Sequence, residues 1–385
     1  MTNTTHTFTP DWVSPPGDTI ADLLEERDWT QAQLAEKLGY TDVQVRQLID
    51  GTIEIDSETA SKLAEVLGST EKFWLKREAN YRERLAQFAA EKQQLPQWVD
   101  WLDELPVKKL MDLGAIWKQR IDDKNKPDIV KDALRFFRVN SPEEWRTNCS
   151  QMQASFRLTR SKQSNKGAIS AWLRLGEIEA EYINPPKYDR VKFEQAVGEI
   201  RRLTILPSAE FMPKIERLCF DAGVTFVLVS SIPKAHTSGV ARWLTPDKPL
   251  IQLSLYGKTN DRFWFTFFHE VAHILLHNKD EIFLDECDGN EVLEGVREKE
   301  DEADRWSREW LIPLEYVAEL GKLKKSKQEV RKFADRVSIH AGIVVGRLQH
   351  ENKVPRNSMN GLKESITIDN GVNADGRSIR KSRIS

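Results

Sequence analysis

The sequence predicts a mainly α-helical chain with one small β-sheet, an α+β fold divided among several domains. Three observations carry that prediction. Capping residues and helical apolar spacing run from Asp18 to about residue 222. At Gly223 the period changes to short β-branched and aromatic runs parted by Pro and Gly. Helical spacing then returns across Phe265-Thr266-Phe267-Phe268-His269-Glu270-Val271-Ala272-His273-Ile274-Leu275-Leu276-His277. There Phe268, Ala272 and Leu275 share a face, and Val271 and Ile274 widen the apolar stripe. A length of 385 residues leads one to expect two or three domains.

Composition narrows the classes. Hydrophobic residues at 39% suffice for cores, and 30% charged residues fit a chain that faces water. A net charge of −3 argues against a polyanion binder by bulk charge. No apolar run reaches the length of a membrane span, and the first residues lack a leader's charged and apolar regions. A cytoplasmic location away from membranes is therefore expected. Cys149, Cys219 and Cys287 are widely separated and odd in number, which fits a reducing compartment and excludes a Cys-type zinc site.

Residues 1–17 are polar, rich in Thr and Pro, and read as an arm. From Asp18 to residue 90 short helices follow one another. Thr19–Arg27 sets Ile20, Leu23 and Leu24 on one face; Thr30 caps Gln31–Leu38, and Gly39 ends it. Thr41 caps Asp42–Asp50, with Val45, Leu48 and Ile49 apolar, and Gly51 ends that helix. Ser57–Leu67 and a long Glu71–Glu91 helix complete the region.

Two short helices about a glycine make a helix-turn-helix pattern. The run Thr30-Gln31-Ala32-Gln33-Leu34-Ala35-Glu36-Lys37-Leu38-Gly39, with Val45, Leu48 and Gly51, resembles the lambda-repressor-like (XRE) family. Leu63-Ala64-Glu65-Val66-Leu67-Gly68 and Phe73-Trp74-Leu75 resemble, more narrowly, HigA-type antitoxins. The resemblance implies an operator DNA as partner. By that family's docking mode Asp42, Val43, Gln44 and Gln47 face base edges, with Gln31 and Arg46 near phosphates. Charge pulls the other way: residues 1–90 hold 9 Lys/Arg against 16 Asp/Glu, an excess of seven acids. Backbone neutralisation must then come from a few local bases or from a homodimer.

Residues 91–204 read as a helical middle region punctuated by prolines, with Trp98, Trp101, Trp117, Trp145 and Trp172 spaced as core anchors. Arg157–Gly167 reads as a basic, solvated loop. Beyond it, residues 205–350 form a further domain. Val224–Ser230, Gly239–Leu244 and Pro249–Leu255 read as strands. Ile251–Leu255 is the strand expected to offer a free edge to an extended peptide.

His269-Glu270-x-x-His273 is an H-E-x-x-H motif. Residues four apart share a helix face, so both imidazoles can meet one ion, and the intervening Glu270 is placed as general base. His277 shares that face one turn too far along and reads either as support for the site or as a structural residue. A third protein ligand is needed. Within Glu298–Pro313, Ala303, Trp306 and Trp310 mark a buried face with Glu302 at its margin, which makes Glu302 the candidate and Glu298 the second choice.

Thr266, the H-E-x-x-H with Leu275-Leu276-His277, and Glu302-Ala303-Asp304-x-Trp306 before Leu311-Ile312-Pro313 together resemble the ImmA/IrrE zinc peptidases. Asp304 stands where that family usually has Asn, and Trp306 where Phe is more usual. The resemblance implies a zincin-like metallopeptidase domain with Zn²⁺ held by His269, His273 and Glu302 and with Glu270 as base. It implies a protein substrate of the repressor or antitoxin type, cut in stress response, mobile-element or toxin–antitoxin control. The alternative is a HigA-like repressor whose metal domain senses or supports without proteolysis. Phe333–His350 resembles the segment closing that domain; its His340 is a candidate to stabilise the tetrahedral oxyanion, its other reading being structural. Residues 351–385 turn polar, then basic, and read as a disordered tail.

Overall fold

The computed structural model describes residues 14–155, 165–254, 259–279, 282–286 and 294–366. The chain forms two compact units that divide after Gln97.

Among the described residues the first unit holds five helices: α1 Pro16–Glu26, α2 Gln31–Leu38, α3 Asp42–Ile49, α4 Ser57–Leu67 and α5 Glu71–Gln94. Ile20, Leu34, Leu48, Leu63 and Trp74 close its core. Thr30 and Thr41 each build a capping box, with Gln33 and Gln44 reaching back to the cap. Gly39 takes φ +68° between α2 and α3, a left-handed turn that an L side chain rarely adopts. Arg27 donates to the carbonyls of Val66 (2.9 Å) and Leu67 (2.7 Å), capping the end of α4.

The second unit begins with α6 Val107–Asp112, α7 Lys126–Phe137, α8 Pro142–Ser155, α9 Lys166–Glu181, α10 Arg190–Arg202 and α11 Ser208–Asp221. Among the described residues four strands follow, β1 Thr225–Val229, β2 Thr237–Thr245, β3 Lys248–Ser254 and, after α12 Asn260–Leu276, β4 Phe283–Glu286. The chain then adds α13 Glu294–Leu311, α14 Leu314–Lys322, α15 Lys327–Val337 and α16 Ala341–His350. Among the described residues no helix is long and apolar enough to cross a membrane.

The sheet order is β1-β3-β2-β4, with β1 parallel to β3 and the other pairs antiparallel. The pleat sorts the side chains. Ala241, Ile251 and Leu253 enter the main core with Trp264, Phe267 and Phe268 of α12. The alternate residues face α9: Gln252 donates to the Trp172 carbonyl at 2.7 Å, and Arg242 reaches Glu177 and the Leu173 carbonyl. Thus α12 and α9 cover opposite faces.

Three expectations are corrected. Ile251 to Ser254 has no free edge, because β3 lies between β1 and β2; Leu255 falls outside the described residues. No division falls at residue 204, since Phe193, Val197 and Ile200 of α10 pack in the core that contains the sheet and α12. Residues 351–366 are folded. Val354, Leu362 and Ile366 are buried in the same core, and Glu364 accepts the Asn260 backbone N–H at 2.9 Å. Their polar neighbours masked these three apolar anchors. The rest of the expected tail, the arm as far as Val13, and most of the basic loop lie outside the described residues.

Arg242 is buried, and Glu177 is its counter-charge at 2.8 Å, shared with Arg174 at 2.9 Å. Burial pushes the Glu177 carboxyl up, but the two guanidinium groups outweigh it and hold it below the usual range. Glu177→Ala should cost roughly 3 kcal/mol, at the low end for an unpaired buried charge because solvent screens the part-exposed carboxylate. A folded value below the ordinary 4.5 means this stabilisation is whole above that pH. It is lost as pH falls through the folded value. Urea unfolding of both proteins at neutral and acid pH checks this, the difference between them shrinking in acid.

Candidate metal centre

Helix α12 is apolar on almost every side, which makes it a helix sunk in the core. Midway along it carries His269, Glu270 and His273 into that core, at 4%, 0% and 3% exposure. Helix α13 crosses it with small residues at the contact. Ala303 and Ser307 are fully buried, and the Ser307 hydroxyl donates to the Phe265 carbonyl at 3.1 Å.

That crossing brings Glu300 to the histidines. Its Oε2 lies 3.0 Å from His269 Nε2 and 3.6 Å from His273 Nε2, and the two Nε2 atoms are 2.9 Å apart. Among the described residues these three form the one group of His and carboxylate donors placed to hold a metal, all within 4.8 Å of each other. One turn on, Asp304 Oδ1 lies 3.0 Å from His269 Nδ1, and Arg308 donates to the other Asp304 oxygen at 3.3 Å.

The donors fit a divalent cation. A neutral His269 gives its Nδ1 hydrogen to Asp304, so its Nε2 presents a lone pair to Glu300, itself only an acceptor. Two acceptors 3.0 Å apart are relieved by a cation between them. Burial pushes the His273 imidazole down to about 4, with Glu300 pulling it up and His269 lowering it further. Partial burial pushes Glu300 up, but its contacts with both imidazoles outweigh this and hold it below the usual carboxylate range. Both directions favour the deprotonated donors that ligation needs.

Glu270 lies against the sheet. A Cβ at Gly239 of β2 would fall 2.3 Å from Glu270 Oε1 and 2.8 Å from Thr266 Cγ2. The missing side chain makes room for the carboxylate.

The structure thus brings His269 and His273 together with Glu300, and not with Glu302, while Glu270, next to His269 in sequence, lies against Gly239. The Glu302 carboxylate is half-exposed and meets His277 at 3.3 Å instead. The large Trp306 and Trp310 suggested the wrong buried line. They are only partly buried and stack on each other with ring centroids 4.9 Å apart. The deep line is Ala303, Ser307 and Leu311, and Glu300 stands one turn before it. Glu298, the second choice, is exposed. The available signal was the matched spacing of Glu300 and Asp304 with His269 and His273, two pairs each four apart.

His340 is also elsewhere. It caps α16, accepting from the Gly342 N–H at 3.0 Å, and its ring meets Asn260 (2.7 Å) and Glu364 (3.2 Å). Asn260 starts α12, nine residues before His269, or roughly 13 Å along the axis. The ring of His340 is thus held at the start of α12 by Asn260 and Glu364, and the structure does not bring it to the cluster.

In the first unit, Gln31, Asp42, Val43, Gln44, Arg46 and Gln47 are all exposed, Val43 at 63%. Gln44 is the exception in availability: its Oε1 accepts from the Thr41 N–H at 2.9 Å, committing it to the cap.

Residues 20–74 match a helix-turn-helix family, and residues 225–349 match the family described as the IrrE N-terminal-like domain. The chain therefore joins a helix-turn-helix domain to an ImmA/IrrE-like, peptidase-type domain. No curated protein matches it.

Purified protein should bind one equivalent of zinc. Glu300→Ala and His269→Ala should lose it, while Glu302→Ala retains it at saturating metal. Atomic absorption after gel filtration measures all three; loss in Glu302→Ala with retention in Glu300→Ala would reverse the ligand assignment.

Proposed function

We propose that the chain is a cytoplasmic DNA-binding regulator with a metal-dependent endopeptidase activity that cuts a repressor or antitoxin-type protein. The observation that carries this reading is the convergence of His269, His273 and Glu300 beside the buried Glu270. Two imidazoles and one carboxylate favour zinc among the divalent ions. A cation held there would polarise the substrate carbonyl and acidify water. Glu270 accepts the proton of the attacking water on its carboxylate and returns it to the leaving amine nitrogen. The apolar packing around α12 excludes other water. The IrrE-like domain supports a protein substrate; the repressor or antitoxin class, in stress response, mobile-element or toxin–antitoxin control, is what the resemblance to ImmA/IrrE peptidases implies.

Glu270→Gln should keep its metal and lose cleavage of repressor proteins encoded beside it by about a hundredfold or more. Gly239→Ala should lower cleavage by displacing the Glu270 carboxylate, again with metal retained. Gel assays alongside metal analysis test both, and full activity in Glu270→Gln would end the proposed mechanism.

A second reading, an operator-binding repressor or HigA-like antitoxin without proteolysis, is favoured by the doubly capped α2–α3 pair and its exposed face. The two activities are compatible. A homodimer would double the few bases available to phosphates. Mobility shifts on the upstream DNA at several salt concentrations should show a shallow salt dependence. Arg46→Ala should reduce its slope by about one, and Gln47→Ala should relax base preference.

A further inference from the structure

Helix α12 stops at Leu276, and His277 turns to an extended conformation (φ −109°, ψ 170°), its N–H still bonded to the His273 carbonyl. That turn brings the ring back onto the helix end. His277 Nδ1 lies 2.8 Å from His273 Nδ1, and His277 Nε2 lies 3.3 Å from Glu302 Oε2. The imidazole is 3% exposed, while the Glu302 side chain is 49% exposed. Both ring nitrogens of His277 are therefore engaged, one on a histidine of the cluster and one on an acid at the surface.

We propose that Glu302 and His277 are positioning residues for the metal centre, a relay that fixes the tautomer and ring orientation of His273. This rests on the metal-binding reading of His269, His273 and Glu300. Proton placement gives the relay its direction. Glu302 is an acceptor, so His277 carries its hydrogen on Nε2. A neutral His277 then has a lone pair at Nδ1, and only a hydrogen on His273 Nδ1 can meet it. His273 is left with its lone pair on Nε2, aimed at His269 and Glu300. Asp304, braced by Arg308, does the same for His269 from the other side. Each imidazole of the cluster is thus held from behind by a different partner, and Glu302 acts through His277 rather than on the cation.

The test is zinc affinity of the full chain, by competition with a chelating dye, with the visible absorption of the cobalt-loaded protein as a second readout. His277→Ala should weaken zinc 10- to 100-fold, the usual loss when an outer partner of a ligand is removed. His277→Asn, which keeps an acceptor at the Nδ1 position, should regain most of it. Glu302→Ala should weaken zinc by a smaller factor, because its contact is longer and half in water. The double variant should match His277→Ala alone, since an acid that works through the imidazole loses its effect once the imidazole is gone. Wild-type affinity in His277→Ala, or losses that multiply in the double variant, would overturn the relay. If His277→Ala does not fold, His277→Asn and Glu302→Ala carry the test, and unchanged affinity and cobalt spectrum in Glu302→Ala overturn it. A wild-type protein that binds no zinc, or a His269→Ala protein that binds as well, overturns the metal centre itself and the relay with it.

Discussion

Two helices must lie close enough for paired side chains to meet, and the whole centre depends on that approach. His269 and His273 stand one turn apart on α12, and Glu300 and Asp304 one turn apart on α13. The pairs match only if the axes approach near the short end of the usual 8–10 Å or so between packed helices. Ala303 and Ser307 allow it, because neither places bulk at the crossing. A larger residue at 303 would part Glu300 from the imidazoles without touching any of them.

The rest of the second unit holds these helices in place. Arg201 of α10 donates to the carbonyls of Trp310, Leu311 and Val337, tying the ends of α13 and α15 together. At the other end of α12, Lys363 pairs with Asp261 at 2.6 Å and bonds Gln349 at 2.8 Å. Helix α12 is thus fixed at its start by residues 351–366, along one side by the sheet, and along another by α13. Fixing it from three directions suits a site whose donors need placement within a fraction of an ångström.

The sequence made the helix-turn-helix and the H-E-x-x-H helix legible because both are local. Caps at Thr30 and Thr41, the glycine turn at Gly39 and the four-residue spacing of the histidines need no partner to be read. What depended on tertiary contact was harder. Glu302 follows from a face drawn through Ala303, Trp306 and Trp310, whereas the buried line runs through Ala303, Ser307 and Leu311, and small residues mark a close crossing better than large ones. Strand β4 went unread because four residues, two of them acidic, carry too little alternation. The segment from 351 to 366 was hidden in the same way, since Val354, Met359, Leu362 and Ile366 stand among Pro, Gly, Asn and charged residues that read as loop. His340 shared a segment with the peptidase pattern, and only the length of α12 shows how far it lies from the cluster.

The acidic run opening α13 shows how one composition yields several chemistries. Successive residues on a helix point about 100° apart, so Glu300, Asp301 and Glu302 cannot share a fate. Glu300 reaches the histidine pair, Asp301 faces solvent, and Glu302 reaches His277. Placing Glu300, Asp304 and the buried Glu270 around two neutral imidazoles gathers more acid than base in a space with little water. Arg308 offsets Asp304, and the remaining acids are costly without further positive charge, which a divalent cation would supply. Ligation would therefore be coupled to the packing of α12 on α13: whatever favours the cation would also favour the crossing that Ala303 and Ser307 permit.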